Sequence, residues 1–496
     1  MAYSGDSSLR RPGAAGSGNT VSAALVVVGA ALAAALMGAG IVLLNPALTM
    51  MLAALLALCS YIIFDFRVGV VLTSLIIPLY ETSFFPHQMF GITGANPFNL
   101  LILATTASYL LRRMKREAPY RLIPKRMLWL YLVPIGLASL HGAMHVHEIP
   151  FAALAAKDIL FFTDIPGYLR DNLIRPLMLV LYALLLAAAI RDSKRPALFL
   201  IPYLLSIWML AGLMVVTAIL RTGGNPAAIA TDRQLLTESM GMHANELGLF
   251  FNISYAVLLF SLGKVRGKLA RLAYIASIGM VVAATLMTFS RGAFVGTAVV
   301  TVLFLLSRRK FYVIVIGVVL LGASVPLLPE AIRERALVGI EDRNVNVIAA
   351  GRTDKIWLPL LDFALEDPVL GHGLAATLWS EPMKKDPTFD VGHAHNAYLN
   401  TFLDMGAVGL VILLGFFILQ LREFRQLGRD ASIAPLLQGV FQGAAVAVIV
   451  LFVQGMTDDR LTPTASQISL WFVIGMSIGM SERLLRARRS DAKREQ

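Results

Sequence analysis

"VGHAHNAYLNTFLDMGAVGLVILLGFFILQLREFRQLGR", residues 391–429, decides the fold. It opens on polar residues, with His393, His395 and Asn396 close together, and then stays apolar for longer than the roughly 20 residues a helix needs to cross a bilayer. It closes on Arg422, Arg425 and Arg429. Lysine and arginine collect on the cytoplasmic side of membrane helices. The basic end is therefore expected inside, and the two histidines at the outer boundary.

The rest of the chain repeats this pattern. Apolar runs near 22–44, 46–64, 68–85, 97–112, 126–142, 174–190, 197–220, 244–262, 272–290, 292–307, 311–328, 396–420, 434–456 and 464–481 predict an all-α polytopic membrane protein of about 12–14 transmembrane helices. Composition agrees: 57% of the 496 residues are hydrophobic, 15% are charged, and the mean hydropathy is +0.71. A soluble domain carries nearer a quarter charged residues. The connections alternate in charge. One set holds "LRRMKREAPYRLIPKR", "RDSKR", "GKVRGKLAR", "SRRK", "LREFRQLGR" and "RLLRARRSDAKRE". With the N-terminal tail it takes about 29 of the 43 lysines and arginines, which marks it as cytoplasmic. The net charge of +12 then reflects topology and anionic lipid headgroups, not nucleic-acid binding. Cys59 is the only cysteine, so neither an intrachain disulfide nor a cysteine metal site is possible.

The expected organisation is a disordered cytoplasmic tail at 1–21, a transmembrane bundle at 22–328, a large periplasmic loop at 329–395, C-terminal transmembrane helices at 396–482 and a basic cytoplasmic tail at 483–496. The apolar stretch after the first tail exceeds a signal-peptide core and reads as an uncleaved span. Long loops are usually functional. Within this one, "TDKIWLPLLDFALED" predicts an amphipathic helix with Trp357, Leu361, Ala364 and Leu365 on one face and a bend at Pro359.

Candidate site residues gather at the outer boundary. The helix opening near His395 offers unpaired N–H groups and the positive end of its dipole, suited to an anion, and a histidine beside it can accept a proton. Arg291 stands at the tight outer turn "FSRGAFVG", and Arg352 precedes the amphipathic helix. A boundary arginine suggests function, and its planar fork matches a diphosphate. Arg221 and Arg233 bracket another outer loop, and "MHANELG" adds His243 and Asn245. Each of these has a plainer reading as a helix cap or a snorkelling side chain. Their convergence favours an enzyme acting on a lipid diphosphate. Asp404 lies ~13 Å into its helix at 1.5 Å per residue and needs a partner or a polar cavity. Gly406 and Gly409 suit helix packing.

The order "SRGA", "GR…W", "GHG" and "HAHNAYLNTFLDMGAVG" resembles the O-antigen ligase and O-antigen or exopolysaccharide polymerase superfamily of bacterial membrane glycosyltransferases. His395-Asn396, nine residues, then Gly406-Ala407-Val408-Gly409 fit that family's motif, and the likeness covers roughly residues 240–425. It implies a GT-C-like architecture in the bacterial inner membrane, with both termini cytoplasmic and the active site periplasmic. The implied reaction is a metal-independent, cofactor-free, inverting transfer of glycan from a polyprenyl (undecaprenyl) diphosphate donor to an acceptor hydroxyl. By that likeness His395 is the general base, and Arg291 and Arg352 hold the leaving diphosphate. His393, Asn396, Arg221, Arg233, His243 and Asn245 support the site or bind substrate. The expected partners are the lipid-linked donor, an acceptor that is either a lipid-linked repeat unit or lipid A–core, membrane lipids, and a chain-length regulator protein. The many spans favour a polymerase over a ligase. A lipid-linked oligosaccharide flippase is the alternative of another class. Transporters are usually built from repeats meeting at the midplane, and neither "HAHN" nor "SRGA" recurs.

Overall fold

The computed structural model describes residues 57–89, 92–93, 96–114, 122–155, 162–308, 351–386, 388–389, 391–457 and 460–494, with isolated positions at 54, 315, 319, 330, 332, 333 and 346. The chain divides into two units, Met1–Phe64 and Asp65–Gln496. In the first, residues 57–64 are helical. The expected tail 1–21, the spans 22–44 and 311–328, most of 46–64, and nearly all of 329–350 lie outside the described residues.

Among the described residues the second unit is helical apart from one two-residue antiparallel pair, β1 (Gln88–Met89) with β2 (Ile92–Thr93). Its helices are α1 (Phe66–Ile76), α2 (Pro97–Met114), α3 (Lys125–Met144), α4 (Ile165–Arg191), α5 (Pro196–Thr222), α6 (Pro226–Ser239), α7 (Ala244–Leu262), α8 (Lys268–Met287), α9 (Arg291–Ser307), α10 (Leu358–Ala364), α11 (Ala397–Leu427), α12 (Pro435–Gln454) and α13 (Ala465–Ala492). Among the described residues eight of these, α3, α4, α5, α7, α8, α11, α12 and α13, are long and apolar enough to cross a membrane. The apolar helices Phe66–Leu79 and Arg291–Ser307 are shorter. Each expected span within the described residues of this unit falls on a helix, though 68–85 is helical only to Leu79 and neither it, 97–112 nor 292–307 is among the eight.

Several polar groups inside the bundle pair across helices, as a non-aqueous surrounding favours. Asn252 of α7 is fully buried and donates to Ala293 O (2.8 Å) and Gln454 Oε1 (3.2 Å), while Thr297 Oγ1 donates to Asn252 Oδ1 (2.7 Å). This ties α7, α9 and α12 together. Gly475 and Gly479, four apart on α13, bring that helix onto the backbones of Ala183 and Ala187 of α4. Where the same two helices end, buried Arg191 bonds to Asp192 (3.3 Å) and Glu482 (3.2 Å). Further arginines gather at this end. Arg67 and Arg483 donate to the main chain of Asp192 and Ser193, and Arg486 pairs with Asp192.

At the opposite end lies a small cap with its own core. Val146, Ile149, Phe162 and Tyr168 pack there with Ile356, Leu360, Phe363, Trp379, Met383 and Phe389. The segment expected as an amphipathic helix, on the membrane surface or capping the bundle, is part of this core. A wider π-turn, Thr353–Trp357, leads into α10, so Pro359 falls in the first turn of α10, where a missing N–H costs little. The buried face is Ile356, Leu360, Phe363 and Ala364, whereas Leu361 and Leu365 are 38% and 55% exposed. The helical face read from a uniform 3.6-residue repeat is rotated because the π-turn alters the phase.

Glycines join the cap to the bundle. At Gly406 (φ 62°, ψ −172°) α11 breaks, and the main chain of 368–373 fills the gap. Ala407 N donates to Pro368 O (2.8 Å) and Val408 N to Val369 O (3.2 Å). In return, His372 N and Gly373 N donate to Leu403 O and Asp404 O, both at 2.9 Å. A Cβ on Gly371 or Gly406 would strike the other strand's backbone, and one on Gly373 would strike Gly142 of α3. The "GHG" turn is thus a thread passing between α3 and α11. Gly406 meets this loop, not a second membrane helix, and Gly409 faces the Met405 side chain of its own helix.

Candidate functional site

Four chain turns and Arg352 meet at the cap end of the bundle. His395 sits in the turn before α11 with φ +49°, a left-handed backbone uncommon outside glycine. Asn396 follows as N-cap, its Oδ1 accepting from Tyr398 N (3.0 Å) and Leu399 N (3.1 Å). That is the expected use of asparagine ahead of a helix. Ala394 is clamped on both sides: Trp357 Nε1 donates to its oxygen (3.0 Å), and its own N–H donates to Asn400 Oδ1 (3.3 Å). Asn400 donates to Asp404 Oδ2 (2.8 Å), and Ala376 N donates to Asp404 Oδ1 (3.0 Å). Asp404 therefore has the partners its depth demands, and it links the histidine turn to the cap.

Two more histidines surround the first. The ring of His393 lies 4.1 Å from that of His395, centroid to centroid, and the His243 ring lies 6.2 Å away. His243 is the N-cap of α7, and its N–H donates to Glu246 Oε2 (2.8 Å), half of a capping box. Next along α7, Asn245 accepts a hydrogen bond from Ser290 Oγ. Ser290 caps α9, accepting from Ala293 N (3.1 Å), and so sets Arg291 on the first turn of that helix. The turn before it is strained as well, since Phe289 is fully buried at φ +48°. Backbone strain of this kind clusters at functional sites. Among the described residues only Phe289, Ala375 and His395 combine a side chain with positive φ.

The piece that unites these elements is the turn 455–457 after α12. Gly455 O accepts from Ala397 N (2.7 Å), two residues past His395. Thr457 O accepts from the Arg352 guanidinium. Thr457 Oγ1 lies against Gly292, with 2.9 Å to the place a Cβ would take there. The histidine turn, the Arg291 turn and Arg352 therefore flank one short segment. All three side chains are part-exposed. Arg221 is exposed in the last turn of α5. Arg233 lies part-buried on α6, which leads through Gly241 to His243. Among the described residues no three His, Cys, Asp or Glu side chains are grouped to hold a metal ion.

Sequence reading did not single out Thr457 or Asn400, and it placed Trp357 only on a helix face and in the "GR…W" pattern. Asn400 carried a usable signal, since it precedes Asp404 by one helical turn. Thr457 and Trp357 act through main-chain contacts across 105 and 37 residues, which leave no local pattern.

Residues 273–414 match the family model described as O-antigen ligase. The matched stretch includes Arg291, Arg352, His393, His395, Asn396, Gly406 and Gly409; His243, Asn245 and Thr457 lie outside it. No curated protein matches the chain.

Proposed function

We propose, taking the match to an O-antigen ligase model over residues 273–414 as premise, that this membrane protein transfers glycan from a polyprenyl-diphosphate donor to an acceptor hydroxyl on the periplasmic side. The observation that carries the reading is the convergence of His395, Arg291 and Arg352 on the turn 455–457. In this reading the His395 imidazole takes the proton of the acceptor hydroxyl, a role that needs hydrogen-bond reach. The freed oxygen attacks the anomeric carbon from the face opposite the phosphate. The bond from that carbon to the phosphate oxygen breaks, and the diphosphate leaves with the electron pair. Arg291 and Arg352 meet the charge that develops on it, as preorganised cations should. The anomeric centre inverts, and no covalent enzyme intermediate forms.

The acceptor we favour is the next lipid-linked repeat unit, which makes the protein a polymerase. The ligase reading, with lipid A–core as acceptor, is favoured by the description of the matched family model. One experiment separates them. In a strain lacking the native gene, His395→Ala is compared with wild type, and lipid-linked and surface glycans are extracted and sized in parallel. Single lipid-linked units without polymer identify a polymerase, and long lipid-linked chains beside bare lipid A–core identify a ligase. Unchanged profiles in both fractions would remove His395 from the chemistry and favour a transporter.

A further inference from the structure

The basic end of α11 carries a charge cluster that the transfer reaction does not use. Arg422, Arg425 and Arg429 follow one another at spacings of three and four, so they share one face of the helix and its exit turn. All three are exposed. Among the described residues none has a carboxylate partner, because the nearby acids are engaged elsewhere. Asp430 accepts from Ser432 N (2.9 Å) and Ser432 Oγ (2.6 Å) and pairs with Arg488 (3.6 Å), while Glu423 accepts from Ser481 Oγ (2.7 Å). The cations, together with Gln426 and Asp430, border a concave site of about 520 Å³.

The position of this site along the helix indicates its occupant. Counting back from Arg422 in the same three-and-four rhythm gives Ile418, Gly415, Val411 and Val408. Ile418, Val411 and Val408 are 42%, 68% and 44% exposed, and nothing stands over Gly415. One face of α11 is therefore an uncovered apolar stripe that runs straight into three uncompensated guanidinium groups. Beyond the break at Gly406 the helix runs from 407 to 427, or ~32 Å at 1.5 Å per residue, about the thickness of a hydrocarbon core. Its basic last turns therefore come to headgroup level. We infer that the arginine notch binds the phosphate of an anionic membrane lipid whose acyl chain lies along Val411 and Ile418. A soluble anion would account for the charge but not for the stripe. Arginine suits phosphate through paired N–H donors, and cations at headgroup level are drawn to an anionic membrane surface.

The test uses the purified full-length chain in detergent, delipidated and titrated with phosphatidylglycerol or phosphatidylcholine, with bound lipid counted by native mass spectrometry. Wild type should retain phosphatidylglycerol and not phosphatidylcholine, and millimolar inorganic phosphate should not displace it. The triple variant Arg422→Gln, Arg425→Gln, Arg429→Gln should weaken retention on the order of 10- to 100-fold. A triple lysine variant, which keeps the charge, should recover most of it and guards against misfolding of the glutamine variant. Equal retention by wild type and the glutamine variant would overturn the site. Displacement by inorganic phosphate, or equal binding of both lipids, would overturn the lipid assignment.

Discussion

The Arg352 guanidinium donates to the main-chain oxygen of Thr457, whose hydroxyl lies against Gly292 beside Arg291. Two arginines separated in sequence thus meet at one turn. A guanidinium has five N–H donors in a fixed fork, so anchoring one donor does not exhaust it. Lysine keeps the charge but loses the fork. Arg291→Lys and Arg352→Lys should each slow glycan transfer about 100-fold, the scale of losing one preorganised donor, with normal membrane insertion. Single-turnover assays on a lipid-linked donor measure this; wild-type rates in both variants would reduce the pair to structural anchors.

His395 combines a candidate chemical role with a left-handed backbone, and the two can be separated. Asparagine tolerates positive φ better than other non-glycine residues but does not act as a base. His395→Asn should keep the fold and thermal stability near wild type while transfer falls by about 100- to 10,000-fold, the usual range for a general base. His395→Ala should lose both transfer and some stability. Transfer retained in the asparagine variant would show that the imidazole serves only the turn.

The family likeness implies transfer without a metal. Extensive EDTA treatment followed by gel filtration should leave activity unchanged. Loss of activity that Mg²⁺ or Mn²⁺ restores would contradict the implied mechanism.

Much of this architecture is readable before folding. Twenty-residue apolar runs place the helices and the lysine and arginine clusters predict which connections share an end, whereas the N-cap made by Asn396 shows only in the structure. The cap is less readable because its core is assembled from segments on both sides of α4. Phe162 and Trp379 signal nothing locally about meeting in one cluster. The face of α10 is misread because the π-turn at 353–357 shifts its phase, and no residue type marks such a turn. Gly406 looks like a helix-packing glycine, since sequence spacing carries no information on whether a loop or a helix will approach it.

The cap also holds a charged cluster whose pH response has a definite sign. Glu148 accepts from Lys384 Nζ (2.8 Å) and contacts His145 Nδ1 (2.7 Å). These two partners, Lys384 first, bring its carboxyl from an ordinary 4.5 down to about 2. A carboxylate depressed in the folded state stabilises above its unfolded pKa and loses that contribution as pH falls through the folded value. Lys384→Met removes the larger cause. The difference in Tm between wild type and this variant should stay level from neutral pH to about 5, then shrink as pH falls from 4.5 toward about 2. A difference unchanged across that interval would mean that Lys384 acts by packing alone.

Gly406 gives the sharpest test of how the cap is held. Its φ of 62° with ψ of −172° is a region essentially reserved for glycine, and a Cβ there would overlap the main-chain carbonyl of Val369. Backbone cannot move aside as a flexible side chain can, so Gly406→Ala should expel the 368–373 thread. Four hydrogen bonds cross that contact, to Pro368, Val369, Leu403 and Asp404. At Gly415, further along the same helix, a Cβ meets nothing within 4 Å. Gly406→Ala is expected to cost about 3 kcal/mol or more, and Gly415→Ala to be near neutral or slightly stabilising, read as thermal unfolding in detergent. The thread also reaches Asp404, whose partner Asn400 holds Ala394 beside His395. Loss of the thread should therefore open residues 368–373 to protease and lower glycan transfer together. If Gly406→Ala matches Gly415→Ala in both readouts, the thread does not support the histidine turn, and the cap and the site are independent.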